Sequence, residues 1–321
     1  MNRRRLLGAS LSALALPAAA QPAWPDRPVR LVVPFAGGSS TDIIGRLIAA
    51  QLSRGLGGHT VVVDNRSGAG GTVGAAHVAQ SPPDGNTLLL GTIGTHAVNP
   101  HLIRGLPYDP VRHFTPIIAH SGTKILLVVR PQLGPRSMAE FVALCRTRPV
   151  SIASPGTGTT GHLAHALLTL ETGTDPLHVA YRDGGRAVTD LLSGQTDAMF
   201  YHTQFVRPHI EAATMLGLGI TGAERSALLP AVPTMAEQGL PGVNVAGWWA
   251  VYGPAGLPAP IVARLNGILG AAMREPETLA VFVRNGLEPI GGSPADLAAL
   301  QRCEFDRWGE VVRRAKISAE S

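Results

Sequence analysis

The sequence predicts an α/β fold in two halves, and three observations carry that expectation. Strand-like and helix-like segments alternate along the chain, the pattern of helices layered on mostly parallel sheets. One unit occurs twice, at 29–52 and 150–172: a strand stops in Gly, Ser and Thr, and an amphipathic helix follows at once. Finally, 321 residues with 45% apolar and 15% charged side chains are enough for two domains of ordinary size around a sizeable core.

The N-terminus stands outside that fold. "MNRRRLLGASLSALALPAAAQPA" has three arginines, a modest apolar run from Leu6 to Leu16, and small residues at Ala18–Ala20. This is the pattern of an export signal over residues 1–20, and Arg3-Arg4 followed by Leu6-Leu7 also fits the twin-arginine route. The mature chain is therefore expected in the periplasm. No later segment approaches the ~18 uninterrupted apolar residues of a membrane span. Without the three signal arginines, 24 of the 27 basic residues stand against 22 acidic ones, and Lys124 and Lys316 are the only lysines. No basic stripe interleaved with aromatics remains, so nucleic acid is not an expected partner. Cys145 and Cys303 each fall in a helical pattern that favours a buried thiol, although export would permit a bridge between them.

The first unit opens with the strand "VRLVVPF" (29–35). The helix after it places Ile43, Ile44, Leu47 and Ile48 on one face, with Ser39, Ser40 or Thr41 as its cap. "HTVVVDN" (59–65) is a strand, a short helix follows in 66–81, and the turn "PPDG" leads into the strand "NTLLLGT". Further strands are expected at 123–130, 150–154, 177–181 and 216–221, and helices at 137–147, 162–172, 185–193, 258–274 and 294–314. Trp248, Trp249 and Tyr252 read as a buried strand near the junction of the halves.

Chemistry concentrates in the strand ends. "VVPFAGGSSTD" (32–42) and "SIASPGTGTTGH" (151–162) each aim free backbone N–H groups and the positive end of a helix dipole at one kind of guest, an anion. A third loop, "GTIGTHAVNP" (91–100), adds Thr92, Thr95 and His96. Two such loops in separate halves suggest two lobes gripping one small anionic molecule. The first loop lacks the lysine of a P-loop. "GTGTTG" (156–161) does match the dinucleotide pattern, with Asp183 where a ribose-binding acid would stand. That leaves an exported NAD(P)-dependent oxidoreductase as the rival reading, although Ser154-Pro155 interrupts the strand–loop junction. No serine-hydrolase elbow and no zinc motif is present. His162 and His165 stand three apart on one helix, a spacing that suits ligand contact by His162 and packing by His165 better than a metal site.

Read in order, "PDRPVRLVVPFAGGSSTDIIGRLIAAQL", "VVVDNRSGAGGTVGAAHVAQSPPDGNTLLLGTIGTHAVNP", "LPYDPVRHFTPI", "GTGTTGHLA", "AVPTMAEQGLPG" and "YGPAGLPAPIVARLN" resemble the Bug-type periplasmic solute-binding proteins, receptors of tripartite tricarboxylate transporters. The resemblance spans about Trp24 to Ile317. It implies a type II-like, two-lobed periplasmic binding fold, each lobe a mixed sheet flanked by helices, with the ligand cleft between lobes. Lobe one would combine 24–123 with 236–321, and lobe two would be 124–235. It implies a small organic acid as ligand, an integral-membrane permease as partner, a monomer, no cofactor and no catalysis. A sensory role feeding a signalling protein is the variant of this reading that the sequence leaves open. Carried over by position, the ligand site comprises Phe35, Ala36, Gly37, Gly38, Ser39, Ser40 and Asp42, then Thr92, Thr95 and His96. From lobe two it takes Ser154, Gly156, Thr157, Gly158, Thr159, Thr160, His162 and Tyr181. After "TDAMF" the family commonly has an Asp-Asn-like pair, whereas this chain has Tyr201-His202. Loss of that acid predicts a shift from amino acids, whose ammonium needs it, toward di- or tricarboxylic or aromatic acids.

Overall fold

The computed structural model describes residues 24–182 and 184–317. The expected export signal (1–20) and Asp183 lie outside the described residues. Two parallel three-stranded units flank a centre of long antiparallel strands. In the first unit β1 (Val29–Val33) pairs in parallel with β2 (Val61–Asn65) and β3 (Thr87–Thr92). In the second, β5 (Ser151–Ser154) lies parallel to β6 (Leu177–Ala180) and β7 (Ala198–His202).

The two units are joined through β4 (Phe114–Val129), a single strand of 16 residues. Its first part, Phe114–Lys124, pairs antiparallel with β9 (Ala246–Pro254) and with the edge strand β10 (Leu287–Gly291). Its second part, Ile125–Val129, pairs antiparallel with β7 and with β8 (Leu216–Ile220). The strand order β2-β1-β3-β9-β4-β7-β5-β6 thus makes one curled, mixed sheet. The mostly parallel sheet expected from the sequence is found only in the outer strands. The stretch 114–122 had no strand signal because Pro116, Ser121 and Gly122 punctuate it, and the pairing with β9 slips register at Pro116/Ile118 and Ala119/Ser121.

Ten helices are present among the described residues. The first half carries α1 (Ser40–Gly55), α2 (Thr72–Ala79) and α3 (Asn99–Leu102). The second carries α4 (Met138–Thr147), α5 (Thr160–Thr172), α6 (Gly184–Leu192) and α7 (Thr203–Glu211). The chain then returns with α8 (Ala259–Ala272), α9 (Pro276–Arg284) and α10 (Pro294–Ala315). Ser39 caps α1, accepting from the Asp42 N–H, and Ser293 with Asp296 forms a capping box on α10. Ile44 and Ile48 of α1 are buried against β1 and β3, but Ile43 is exposed, one position off the apolar stripe expected to contain it. Both cysteines are free. Cys145 is half-buried, while Cys303 is exposed on α10, against the expectation of two buried thiols. Among the described residues no helix is long and apolar enough to cross a membrane.

Candidate functional site

The two strand–loop–helix units face each other across one cavity. Its walls come from the β1–α1 loop (Phe35, Ala36, Ser39, Ser40, Thr41) and the β3 end (Thr92–Gly94) on one side. The other side supplies Pro155, Thr159 and Thr160 from the β5–α5 loop, Arg182 and Gly184 after β6, and Tyr201 and His202 at the end of β7. Gly247, Trp248 and Trp249 of β9 complete it. The cavity volume is about 50 Å³, against roughly 10–15 Å³ for one water. That is the scale of a small molecule.

Two helix N-termini open onto this space. In any α-helix the first N–H groups have no acceptor within the helix. The Ser39 hydroxyl takes that of Asp42 (3.2 Å), which leaves those of Ser40 and Thr41. No side chain caps α5, since the Thr159 hydroxyl instead donates to the Gly156 carbonyl at 2.6 Å. Thr160, which lines the cavity, therefore presents its N–H group as well.

His202 ties the two units together. Its Nδ1 lies 2.9 Å from Ser40 Oγ in the first half, and its Nε2 lies 3.0 Å from Thr160 Oγ1 in the second. Its ring stands edge-on to Trp249 at 5.2 Å, and Trp249 Nε1 donates to Thr41 Oγ1 at 3.1 Å. Burial pushes the imidazole down to about 3, so it is neutral at pH 7. A neutral ring has one donor and one acceptor nitrogen, so one hydroxyl gives a proton to the pair of bonds and the other receives one.

Nine of the residues expected at the site line the cavity: Phe35, Ala36, Ser39, Ser40, Thr92, Thr159, Thr160, Tyr201 and His202. The others do not line it. Asp42 accepts from Gly38 N (2.9 Å), Arg46 Nε (2.9 Å) and Asn65 Nδ2 (3.0 Å). Burial alone would raise its carboxyl, but these bonds outweigh burial and hold it below the ordinary range. Asp42 is thus spent on folding the loop, and Gly37 and Gly38 form its solvent-facing outer turn. Thr95 Oγ1 donates to the Thr92 carbonyl, and His96 stacks on Tyr252 at 3.9 Å with its pKa pushed down to about 3 by burial. Ser154 Oγ bonds His178 Nε2 at 2.7 Å. His162 accepts from Gly158 N at 3.1 Å and stacks on His178 at 4.1 Å, so its ring braces the loop from behind, where ligand contact had been expected. His165 packs, bonded to the Pro176 carbonyl. The Tyr181 hydroxyl turns away to Asp190 at 3.0 Å.

The middle of the second loop is a contact between halves. A Cβ on Gly70 would lie 2.6 Å from the Thr157 carbonyl oxygen, and one on Gly158 would lie 2.4 Å from Asn99 Oδ1. Both glycines have positive φ, +60° and +77°. Gly156 in turn sits under the Tyr181 carbonyl. In this arrangement the G-x-G-x-x-G loop packs against the opposite half at Thr157 and Gly158, and the Gly158 N–H is taken by His162, which disfavours a pyrophosphate there.

Sequence reasoning did not place Thr41, Ile93, Gly94, Pro155, Arg182, Gly184, Gly247, Trp248 or Trp249 at the cavity. Most are immediate neighbours of residues it did place. The tryptophans do lie in a buried strand, as expected, but that strand also borders the cavity. Burial of an aromatic strand is legible in sequence; a gap opposite it is not.

Comparison with known proteins decides the family. The chain matches the tripartite tricarboxylate transporter family receptor, TctC, over residues 44–317. It belongs to that family. Protein BugT of Bordetella pertussis is 34% identical over 98% of this chain and 98% of its own length. An R. palustris protein solved with adipate is 37% identical, with a TM-score of 0.88 over 92% of this chain and 99% of that one. MatC from Rhodopseudomonas palustris, solved with malate, is 34% identical, with a TM-score of 0.85 over 90% and 100%. The receptor fold, two lobes with a cleft, is therefore the fold of this chain.

Proposed function

We propose that the chain is a periplasmic receptor whose lobes close on a small di- or tricarboxylate and deliver it to an integral-membrane permease. The export signal (1–20) accounts for its location, and the receptor acts as a monomer. Lobe one combines 24–123 with 236–321 and lobe two is 124–235, with β4 and β9 as the strands that flex. One observation carries the reading: uncapped N–H groups from α1 and α5, in different halves, open onto a single small cavity that has no acid among its described lining residues.

A carboxylate there accepts charge-assisted hydrogen bonds, each contributing on the order of 1.5–3 kcal/mol. A handful supports micromolar binding, about −8 kcal/mol, after association costs. Contacts from both lobes favour the closed state, which is how binding drives hinge closure. The Tyr201-His202 pair, standing where an acid would be needed to hold an ammonium, disfavours amino acids. Catalysis finds little support. Ser40 and His202 are hydrogen-bonded, but the second nitrogen of His202 meets a threonine hydroxyl, not a carboxylate. An imidazole held at about 3 is also a poor general base at neutral pH.

A thermal-shift screen of the mature protein tests the reading. A bound acid at ~100 times its dissociation constant adds about 2.7 kcal/mol. At least one small carboxylate should raise the melting temperature, and NAD(P)H should not. A shift with NAD(P)H, or none with any organic acid, overturns it.

A further inference from the structure

Burial orders the cavity from inside to outside. Ser40, Thr160, His202, Trp248 and Trp249 are buried, Phe35, Ala36 and Pro155 are half-buried, and Arg182 is exposed. Arg182 stands at the mouth. It is the one formally charged side chain among the described lining residues, and among those residues it forms no ion pair or hydrogen bond. Arginines elsewhere near carboxylates are paired, for example Arg186 with Asp190 at 2.9 Å and Arg46 with Asp42 at 2.9 Å. Among the described lining residues there is no second cation, because both nitrogens of His202 are engaged across the cleft and its ring is neutral.

An anion held by the helix N-termini is thus met at the deep end by neutral donors. A guanidinium with no partner among the described residues waits at the exposed end, with half-buried Phe35 and Pro155 between. A guanidinium offers paired N–H groups in the fork that matches a carboxylate. An acid with a single carboxylate satisfies only one of these ends.

We infer that Arg182 is a specificity-determining residue that engages the outer carboxylate of a dicarboxylate whose inner carboxylate lies at the α1 and α5 N-termini. The inference rests on the receptor reading above. The ligand class is an α,ω-dicarboxylate without an ammonium group, its carbon chain running along the aromatic wall. Because Arg182 is partly in solvent, its contact is screened, and the preference it confers is on the order of 5- to 10-fold.

The test uses matched pairs of equal chain length: succinate with butyrate, glutarate with pentanoate, adipate with hexanoate. Affinities are measured by calorimetry for the wild-type protein and for Arg182→Gln, with circular dichroism to show that the variant folds. Wild type should prefer the dicarboxylate of the best-fitting pair by at least ~5-fold. In Arg182→Gln that ratio should fall toward one, with monocarboxylate affinity unchanged. Equal wild-type binding of both members, or an Arg182→Gln variant that weakens both equally, overturns the role of Arg182 but leaves the receptor reading intact. Absence of binding by every acid overturns the receptor reading itself.

Discussion

Closure of the two halves is tested most sharply at a glycine that touches no ligand. Gly70 does not line the cavity, yet a Cβ there lies 2.6 Å from the Thr157 carbonyl oxygen of the opposite half. Ordinary contact begins near 3.4 Å, and a backbone oxygen cannot swing aside, so Gly70→Ala forces the halves apart by several tenths of an ångström. Overpacking of this kind costs about 1–3 kcal/mol. A mid-range cost of about 2 kcal/mol converts to roughly 30-fold weaker binding. Gly70 also has φ +60°, so alanine adds a left-handed strain of roughly 1–2 kcal/mol. That strain is present with the cleft open or closed and cancels from the affinity. Gly57→Ala is the control, because Gly57 has φ +72° and nothing within 4 Å of its Cβ. Calorimetric titration with the best acid should show Gly70→Ala weakened ~30-fold and Gly57→Ala unchanged, with both melting lower than wild type. Binding by Gly70→Ala within twofold of wild type refutes the claim that the ligand-bound halves meet at Thr157.

Other consequences follow from the buried groups. His96, His120 and His202 are held down to about 3 by burial, below the 6.5 of an unfolded histidine. The unfolded chain therefore takes up protons first, so stability is full above pH 6.5 and falls between 6.5 and 3, by up to about 1.4 kcal/mol per pH unit for each histidine. Melting temperatures from pH 7.5 to 5 should drop accordingly, and His202→Asn should show a shallower slope; a flat profile contradicts the neutral, buried state. With a thiol-modifying reagent, exposed Cys303 should react at once and Cys145, pushed up to about 11 by burial, only slowly or on unfolding. A protein with no titratable thiol would mean a bridge that the structure does not contain.

Local signals made the two jaws of the cleft readable from the sequence. Ser39 before an amphipathic helix, and Thr159 before another, are cap patterns whose meaning does not depend on the rest of the chain. The tertiary partners of those loops were not readable. Asp42, Ser154 and His162 look like ligand groups because they are polar and stand beside the right glycines, yet each is hydrogen-bonded into its own loop. Only contacts made by folding separate a residue that faces the cavity from its neighbour that braces it. The same holds for β4, whose first part is broken by Pro116 and Gly122 and is recognisable as a strand only through β9 and β10 on either side. Arg182 had no pattern at all: a lone arginine after a strand acquires its role from the cavity it overlooks.

Calorimetric titration of the mature protein with small dicarboxylates, run beside Ser40→Ala and Thr159→Ala, tests the central claim most directly. Saturable one-to-one binding near micromolar, weakened by a substitution in either half without loss of folding, is the expected result. No saturable heat with any acid contradicts a carboxylate gripped between the two helix N-termini.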